Sequence, residues 1–451
     1  MSGIKSTHPE YENNLKRWKK VRDVVAGEDA VKAGDYLKVS QDKNVEMYKE
    51  NAWFVGYTST TLDWLEGCVF RKPPKINLPS NLEYLVSTDQ EHLSLSQISR
   101  QVLKEIGQTG RVGLLIDAPK TPEKITLAEQ MSGKYVPRIS VYPAESIRMW
   151  RDRSNLIMLE EKYYATKPDG YALEDKTQYR ELGLDSDGYY YQRVFKDDKE
   201  VEYIEPRNSK GQRLNYIPFV FIGSDTNSAS CDKALLYDIA CVNINHYINS
   251  AQHENMLYLL GSPTTFITTS LDPDELRIAN ENRQITMGSS YAYVLGDTGD
   301  AKLLETSDKT SLKTAMDDKV AHMLGLGAKI VQSSVHNTTA EEMYQKHKAE
   351  ISKLDKVVNN INDGMNLALQ YISDFSGEAV EEGAFKLNDD YYDRKVDPQL
   401  LLTQIQLLQN GVLSKNIIRN YLRGFGVIPE NMDNETIDAE LSHDIGGFSL
   451  E

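Results

Sequence analysis

The sequence has few cysteines and no long apolar run, and each shortage excludes a class of protein. Only Cys68, Cys231 and Cys241 occur in 451 residues, which favours reduced thiols over a disulfide scaffold. No run of 18 apolar residues is present, so no membrane-spanning helix is predicted. The opening MSGIKSTHPEYENNLKRWKK has no apolar core of a signal peptide. We therefore expect a protein that is made and used in a cytosol-like compartment, with no membrane partner.

Positive charge is also scarce. Lys and Arg number 51 against 67 Asp and Glu, which gives a net charge of −16. Proteins that coat nucleic acid neutralise phosphates with Lys and Arg, so this balance argues against a nucleic-acid coat. It does not exclude a protein that only lets a polyanion pass. The length suffices for two or three domains or for one elongated subunit.

Catalytic motifs are missing as well. The sequence contains no H-E-x-x-H, G-x-S-x-G, paired C-x-x-C or Walker A motif. His246 and His253 lie seven apart on one predicted helix, but no third ligand stands at metal spacing, so we interpret them as polar-face residues. We predict no enzymatic activity, no cofactor and no metal. An enzyme built on the predicted sheet at 136–222 is the minority interpretation.

Two stretches, one rich in glycine and one in aspartate, resemble ligand-binding loops but lack residues that such loops require. GQTGRVG at 107–113 lies between a predicted helix and a predicted strand, whereas a phosphate loop runs from strand to helix and carries Lys and Ser or Thr. Helix C-capping explains these glycines. LDSDG at 184–188 lacks the later ligands of a calcium loop.

The stretch at 234–260 is the most distinctive. It contains neither Pro nor Gly, and its apolar residues recur at helical spacing, which predicts one long helix. Its only formal charges are Asp238 and Glu254. Five amides lie between them or beside them: Asn243, Asn245, Asn249, Gln252 and Asn255. Two interpretations stay open: a core helix with a partly buried amide row, or a helix beside copies of itself whose neutral face lets something slide past.

The first half of the chain predicts mixed helix and strand. Helices are predicted within 9–66, separated by a loop at 26–42, and again at 94–106, with an extended segment at 68–79 between them. RVGLLID at 111–117 has the composition of a buried strand. From 136 to 222 the apolar pattern has period two with turn residues between strands, which predicts an antiparallel β meander.

The second half predicts a small β-rich insertion after the long helix, a second helix that Gly325 and Gly327 end, a polar connector and another long helix. In that last helix the apolar residues form a heptad seam, which we interpret as core packing. Assembly of a scaffold or adaptor through this seam is the alternative. A low-hydrophobicity linker, two short helices broken at Gly411 and, from Pro429, a solvated acidic tail complete the prediction.

Five strings together carry a resemblance to a known family over residues 8–430. They are HPEYENNLKRWKKVRDVVAGEDAVK, WLEGCVFRKPP, GRVGLLIDAP, VYPAESIRMW and, above all, LLYDIACVNINHYINSAQHENMLYLLGSPT. The chain resembles the portal proteins, or head-to-tail connectors, of tailed bacteriophages and prophages. None of these strings is catalytic.

The resemblance implies an α+β, portal-like fold with an α/β wing, a two-helix stem, a small β-rich clip insertion, a long wing helix and a helical crown. The parts would be, in order, the wing at 1–230, the first stem helix at 231–260, the clip at 261–307, the second stem helix at 308–327, the tunnel loop at 328–339, the long wing helix at 340–375, the linker at 376–398 and the crown with its acidic tail at 399–451.

The resemblance also implies a function. The subunit would form a ring, usually of twelve copies, at one capsid vertex of the virion, as a channel for DNA packaging and viral genome ejection. Its partners would be double-stranded DNA, the terminase large subunit, later the head–tail adaptor, and the major capsid and scaffolding proteins. It would be made in the host bacterial cytoplasm.

Candidate site residues follow from these assignments. Asn245, Asn249 and Gln252 would form the channel face of the first stem helix. Six residues of the tunnel loop would face the channel axis: Lys329, Gln332, Ser333, Ser334, His336 and Asn337.

Overall fold

The computed structural model has mixed helix and sheet, as predicted, with 49% helix and 22% strand. The chain divides into two compact units, Met1–Asn388 and Asp389–Glu451. The structure describes residues 3–37, 45–87, 93–119, 136–151, 155–167, 170–261, 265–268, 270, 272, 274–275, 292–295, 310–328, 340–388, 406–408, 410, 414–424, 428 and 432–445.

The first unit begins with helices. They are α1 (Pro9–Ala26), α2 (Glu28–Ala33), α3 (Val45–Asn51), α4 (Tyr57–Val69) and α5 (Leu95–Thr109). Helix α2 lies inside the segment predicted to be a loop, so that prediction is wrong for 28–33. A short strand, β1 (Lys75–Ile76), precedes α5. Helix α5 opens with a capping box between Ser94 and Gln97 and ends at Gly110, which has φ +83°. The predicted C-cap at this glycine is therefore confirmed.

Eight further strands follow: β2 (Arg111–Asp117), β3 (Arg138–Pro143), β4 (Ile147–Trp150), β5 (Leu156–Thr166), β6 (Leu173–Leu184), β7 (Tyr190–Lys196), β8 (Lys199–Ile204) and β9 (Phe219–Gly223). Strands β4 to β8 form a five-stranded antiparallel sheet in sequence order, while β2 lies between β3 and β9 in a second antiparallel sheet.

The single predicted meander is therefore wrong at both ends. A 3₁₀ turn at Ala144–Ser146 follows Pro143 and separates β3 from β4, which sends the two strands into different sheets. Strand β9 pairs with β2, which lies more than 100 residues earlier, instead of with β8. Period two predicts strands but does not identify their partners.

The remaining elements of this unit follow the predicted order. They are α6 (Tyr237–Gly261), the parallel pair β10 (Thr265–Thr268) and β11 (Ala292–Leu295), α7 (Ser311–Met323) with a π-helical turn at Leu324–Ala328, α8 (Ala340–Ser376) and β12 (Phe385–Lys386). In the part of the chain that the structure describes, no helix is long and apolar enough to cross a membrane.

The heptad seam of α8 packs inside the chain. Helix α8 contacts β2, β9 and α5, and a Cβ on Gly364 would lie 2.5 Å from the Ile222 side chain. The seam residues whose side chains are described are all buried: Leu354, Val358, Ile361, Met365, Ala368 and Ile372. The interpretation as core packing is confirmed for this part of the helix.

The predicted linker at 376–398 is folded in its described part. Strand β12 pairs antiparallel with β1, so that Ile76 faces Phe385. Phe385 is 1% exposed. The Asn366 side chain donates to Phe385 O at 2.9 Å and accepts from Phe385 N at 3.0 Å. The linker prediction is wrong here because three apolar residues in this polar stretch, Ala384, Phe385 and Leu387, are buried.

The second unit contains α9 (Lys415–Gly424) and α10 (Asn434–Ile445). Helix α10 lies in the segment predicted to be a solvated tail, which corrects that prediction. At least one carboxylate of α10 has a protein partner, because Arg419 of α9 donates to both oxygens of Asp438. Asp433 accepts from Thr436 N at 2.6 Å and so caps the helix.

Candidate functional site

Helix α6 lies at the centre of the helical part of the first unit. One side of it packs into a core shared with α1, α4 and α7. The buried apolar residues of α6 in this core are Ile239, Ala240, Ile244, Tyr247 and Ala251. The remaining side of the helix carries the exposed polar residues, so the two faces have different roles.

Asn243 belongs to the inner face. It is 0% exposed, its Nδ2 donates to Val55 O at 2.9 Å, and its Oδ1 accepts from Thr58 N at 3.2 Å and from Thr58 Oγ1 at 3.0 Å. The N-cap of α4 is Gly56, which has no side chain to cap the first turn. Asn243 therefore caps α4 from a different helix, and it is not part of an exposed amide row.

Ser250 and His246 continue the inner polar side. Ser250 Oγ accepts from Trp53 N at 3.2 Å and lies 2.6 Å from Trp53 O. His246 is 2% exposed and lies edge-on to the rings of Trp53 and Tyr57. Its Nδ1 has no hydrogen-bond partner among the described residues. Burial, and then the positive charge of Lys319, lower the pKa of His246, against a smaller opposing effect of Asp317.

The outer face carries the predicted channel residues. Asn245 and Gln252 are exposed and Asn249 is half-buried. At 100° per residue, four and three residues apart, these amides share one side of the helix over about 10 Å. We name these three residues the amide strip. That the strip lines a channel stays a prediction.

Helix α6 itself carries almost no formal charge along the amide strip. Asp238, about two turns before Asn245, pairs with Lys233 at 2.7 Å. Glu254, beyond the strip, lies 3.7 Å from His253 Nδ1. The strip therefore presents hydrogen-bonding groups without a net charge of its own.

The six predicted tunnel-loop residues, Lys329, Gln332, Ser333, Ser334, His336 and Asn337, lie outside the described residues. The π-helical turn that leads to them is described. A Cβ on Gly327 in this turn would lie 3.3 Å from the Ile239 side chain and 3.7 Å from Thr61. The end of α7 is thus held against both α6 and α4.

A buried arginine that sequence reasoning missed fixes the connection from the sheet to α6. Arg111 is fully buried, donates to Ala229 O at 2.8 Å and lies 4.0 Å from the Trp150 ring. Burial lowers its pKa. A Cβ on the preceding Gly110 would lie 2.4 Å from Asp232 O. Nothing in the sequence distinguishes this arginine from a surface residue at a strand start.

A cluster of buried polar side chains lies on the sheets, where an enzyme would need its catalytic residues. Arg180 Nε donates to Glu161 Oε1 at 2.6 Å, and Tyr142 OH donates to the same oxygen at 2.6 Å. Gln192 links Arg180 to Asp117 by bonds of 2.9 and 3.1 Å. The groups satisfy one another, which is typical of a structural ion-pair network.

The pKa shifts in this cluster follow from these contacts. Burial raises the pKa of Asp117, against the opposing charge of Arg180. Burial would also raise the pKa of Glu161, but its bond to Arg180 and the charge of that guanidinium outweigh burial and leave it lowered. Within the described residues, no group of three or more His, Cys, Asp or Glu is placed to hold a metal ion.

Comparisons with known proteins add a family match and three structural likenesses. Residues 235–376, from α6 through α8, match a family described as a domain of unknown function (DUF4055). No curated protein matches. The chain is similar to a chain in the virion of a native gene transfer agent particle, at 12% identity and a TM-score of 0.38, covering 89% of this chain and 98% of the other.

Two structures of the neck of such particles are also similar. One is of an empty particle computed with C6 symmetry and the other of a native particle computed with C12 symmetry. Each is 14% identical with a TM-score of 0.37, and each match covers 88% of this chain and 98% of the other.

Proposed function

We propose that this chain is the subunit of a phage-type portal, a ring-shaped channel at one capsid vertex through which double-stranded DNA is packaged and later ejected. The amide strip is the observation that carries this proposal. It is an exposed, uncharged polar face on a long helix whose opposite side is committed to the core.

Such a face suits a passage for DNA. Double-stranded DNA carries one negative charge per about 1.7 Å, and each Lys contact with a phosphate has to be broken as the DNA moves. Amides form hydrogen bonds that exchange readily with water and add no net charge. The chain's net charge of −16 acts in the same direction, because it opposes tight retention of a polyanion.

In this proposal about twelve copies surround the channel and the protein has no catalytic role. The segment at 261–307 docks the terminase large subunit and then the head–tail adaptor. The ring sits in the virion, in contact with the major capsid and scaffolding proteins.

The buried seam of α8 weighs against an adaptor that assembles through this helix. Leu354, Ile361 and Met365 are already covered by the chain itself. A coiled coil between copies would require these side chains to leave the core, at a cost of roughly 1.5–3 kcal/mol for each large apolar side chain exposed.

The assembly is tested by native mass spectrometry and negative-stain imaging of the purified full chain, alone and with a scaffolding protein. We expect rings of about a dozen subunits with an open centre. A closed dimer or trimer under both conditions would reject the ring.

The amide strip is tested separately by the triple substitution Asn245→Lys, Asn249→Lys and Gln252→Lys. A matched control places three lysines on exposed positions of the five-stranded sheet: Thr166→Lys, Thr177→Lys and Val201→Lys. We expect rings of the strip variant, and not of the control, to retain linear double-stranded DNA at low salt.

Retention should weaken as salt rises, because each phosphate contact contributes about 0.9 to the slope of log K against log salt. Rings of the strip variant that retain no more DNA than the control would show that the strip does not face the DNA.

A further inference from the structure

Basic residues lie along one side of the amide strip. Lys20 of α1 lies 3.8 Å from Cys241 Sγ and 5.7 Å from the Tyr237 ring. Lys16 and Arg17 are exposed one turn before it on the same helix, and in the described part of the chain neither has a carboxylate partner. Lys19, by contrast, pairs with Asp23 at 2.7 Å. We name Lys16, Arg17 and Lys20 the basic rim.

Acidic residues lie along the other side. Asp317 and Asp318 of α7 are exposed, and no ion pair is formed by either within the described ranges. Asp317 is close enough to His246 and Tyr57 to act on both electrostatically. Trp53, which also contacts His246, is 51% exposed. We name Asp317, Asp318 and Trp53 the acidic rim.

The two rims are on opposite sides of the strip. On a helix of 100° per residue, Cys241 lies about 40° to one side of Asn245 and His246 about 100° to the other. The contact of α1 at Cys241 and the contact of α7 at His246 therefore flank the strip. Lys313 and Lys319 of α7 lie near these aspartates in the sequence, but neither pairs with them among the described residues, and Lys319 Nζ donates to Ala315 O at 3.3 Å. The exposed charges of Lys16 and Arg17 on one flank and of Asp317 and Asp318 on the other are therefore not neutralised within one copy.

We propose that the basic rim of one copy docks against the acidic rim of the next copy, so that the ring closes through a head-to-tail interface. This inference rests on the ring of the proposed function and assigns the surfaces that build it. A heterologous contact of this kind generates a ring when its rotation closes. Opposite charges select the partner face and keep like faces apart.

The chemistry of the rims suits this contact. Arg17 can form a forked bond to a carboxylate or stack on an exposed indole ring, and Trp53 offers such a ring. The acidic rim lies about five residues further along α6 than the basic rim, or about 7 Å at 1.5 Å per residue. For the two rims to meet, each copy must be shifted along the α6 direction relative to its neighbour. Such a shift is expected when the α6 helices are inclined around a common axis.

Charge reversal tests the proposal on the full chain. The first variant, K16E/R17E/K20E, has two acidic rims, and the second, D317K/D318K, has two basic rims. We expect each alone to reduce the ring fraction at least tenfold in native mass spectrometry. We expect an equimolar mixture of the two to restore rings with alternating subunits, and a single chain carrying both sets of changes to restore them as well.

The controls are single reversals on the five-stranded sheet, Lys162→Glu and Asp175→Lys, which should leave the ring fraction unchanged. Restoration in the mixture also excludes misfolding, because a misfolded chain would not assemble with its complement. If both variants form rings as well as the wild-type chain, or if neither the mixture nor the combined chain recovers them, the rims are not the interface.

The same experiment separates this inference from the proposed function. If the wild-type chain forms no ring but the two variants bind each other in open chains, the rims pair and the ring is wrong. If wild-type rings persist through both reversals, the ring stands and the rims are wrong.

Discussion

Replacing Asn243 by Ala should destabilise the first unit far more than the chemistry of one amide suggests. The substitution removes three hydrogen bonds and leaves Thr58 N buried without a partner, while Val55 O keeps the bond from Tyr57 N at 2.9 Å. The unsatisfied Thr58 amide costs about 1–3 kcal/mol, and the loss of the other two bonds and the small cavity add to this. We expect the free energy of unfolding to fall by about 3 kcal/mol.

The matched control is Asn245→Ala, two residues later on the same helix and exposed, which should change the free energy of unfolding by less than about 0.5 kcal/mol. Urea unfolding followed by circular dichroism measures both. Hydrogen exchange should show faster exchange of the Thr58 amide in Asn243→Ala only. Equal losses in the two variants, or an unchanged Thr58 amide, would refute the assignment of Asn243 as the cap of α4.

Three further predictions concern other parts of the first unit, and each is tested by urea unfolding. Because the pKa of His246 is lowered in the folded protein, His246 is protonated at a higher pH in the unfolded chain than in the folded one. The free energy of unfolding should therefore fall as pH drops below about 6.5. His246→Phe should reduce this dependence of stability on pH, and an unchanged dependence would contradict the prediction. Gly110→Ala should lower the free energy of unfolding by about 2 kcal/mol or more, because φ is +83° and a Cβ would lie 2.4 Å from a backbone oxygen. The control Gly188→Ala, with φ +81° and open space around the Cβ, should lower it by about 1 kcal/mol. Equal losses would show that the close approach of the Asp232 oxygen to Gly110 is unimportant. Phe385→Ala should cost about 3–5 kcal/mol because this side chain is 1% exposed; a loss below about 1 kcal/mol would mean that β12 is not part of the core.

The elements that could be predicted are those whose signal lies within one stretch of chain. Helix α6 has no Pro or Gly before its last residue and a regular apolar spacing, strand β2 is apolar between Arg111 and Asp117, and α5 ends at a glycine in the left-handed region. Local propensity and packing agree at each of these places, so the pattern alone identifies them.

The roles of individual polar residues could not be predicted. Asn243 and Asn245 are the same residue type on the same helix, yet one is a buried cap and the other is exposed. The difference depends on Thr58, 185 residues away along the chain. Arg111 is similar, because only the fold brings Trp150 under its guanidinium.

Polar segments that fold against a distant partner were missed for the same reason. Strand β12 is two residues long and forms because β1 offers an edge. Helix α10 is rich in acidic residues, and its Asp438 is neutralised by Arg419 of another helix. Composition shows the polar and acidic residues within each segment, but it does not show the distant residue that pairs with them.

The pairing of β1 with β12 sets a limit on how this protein can fold during synthesis. At this closure the Asn388 side chain donates to Cys68 O, 320 residues earlier in the chain. Strand β1 can therefore pair only after nearly the whole first unit has left the ribosome, and its backbone groups have no strand partner until then. Contacts of such long sequence separation form slowly, and until they form, the apolar side chains of Phe385 and Leu387 are exposed, which favours aggregation. Truncation between α8 and β12 should therefore yield chains that aggregate, rather than a stable smaller domain.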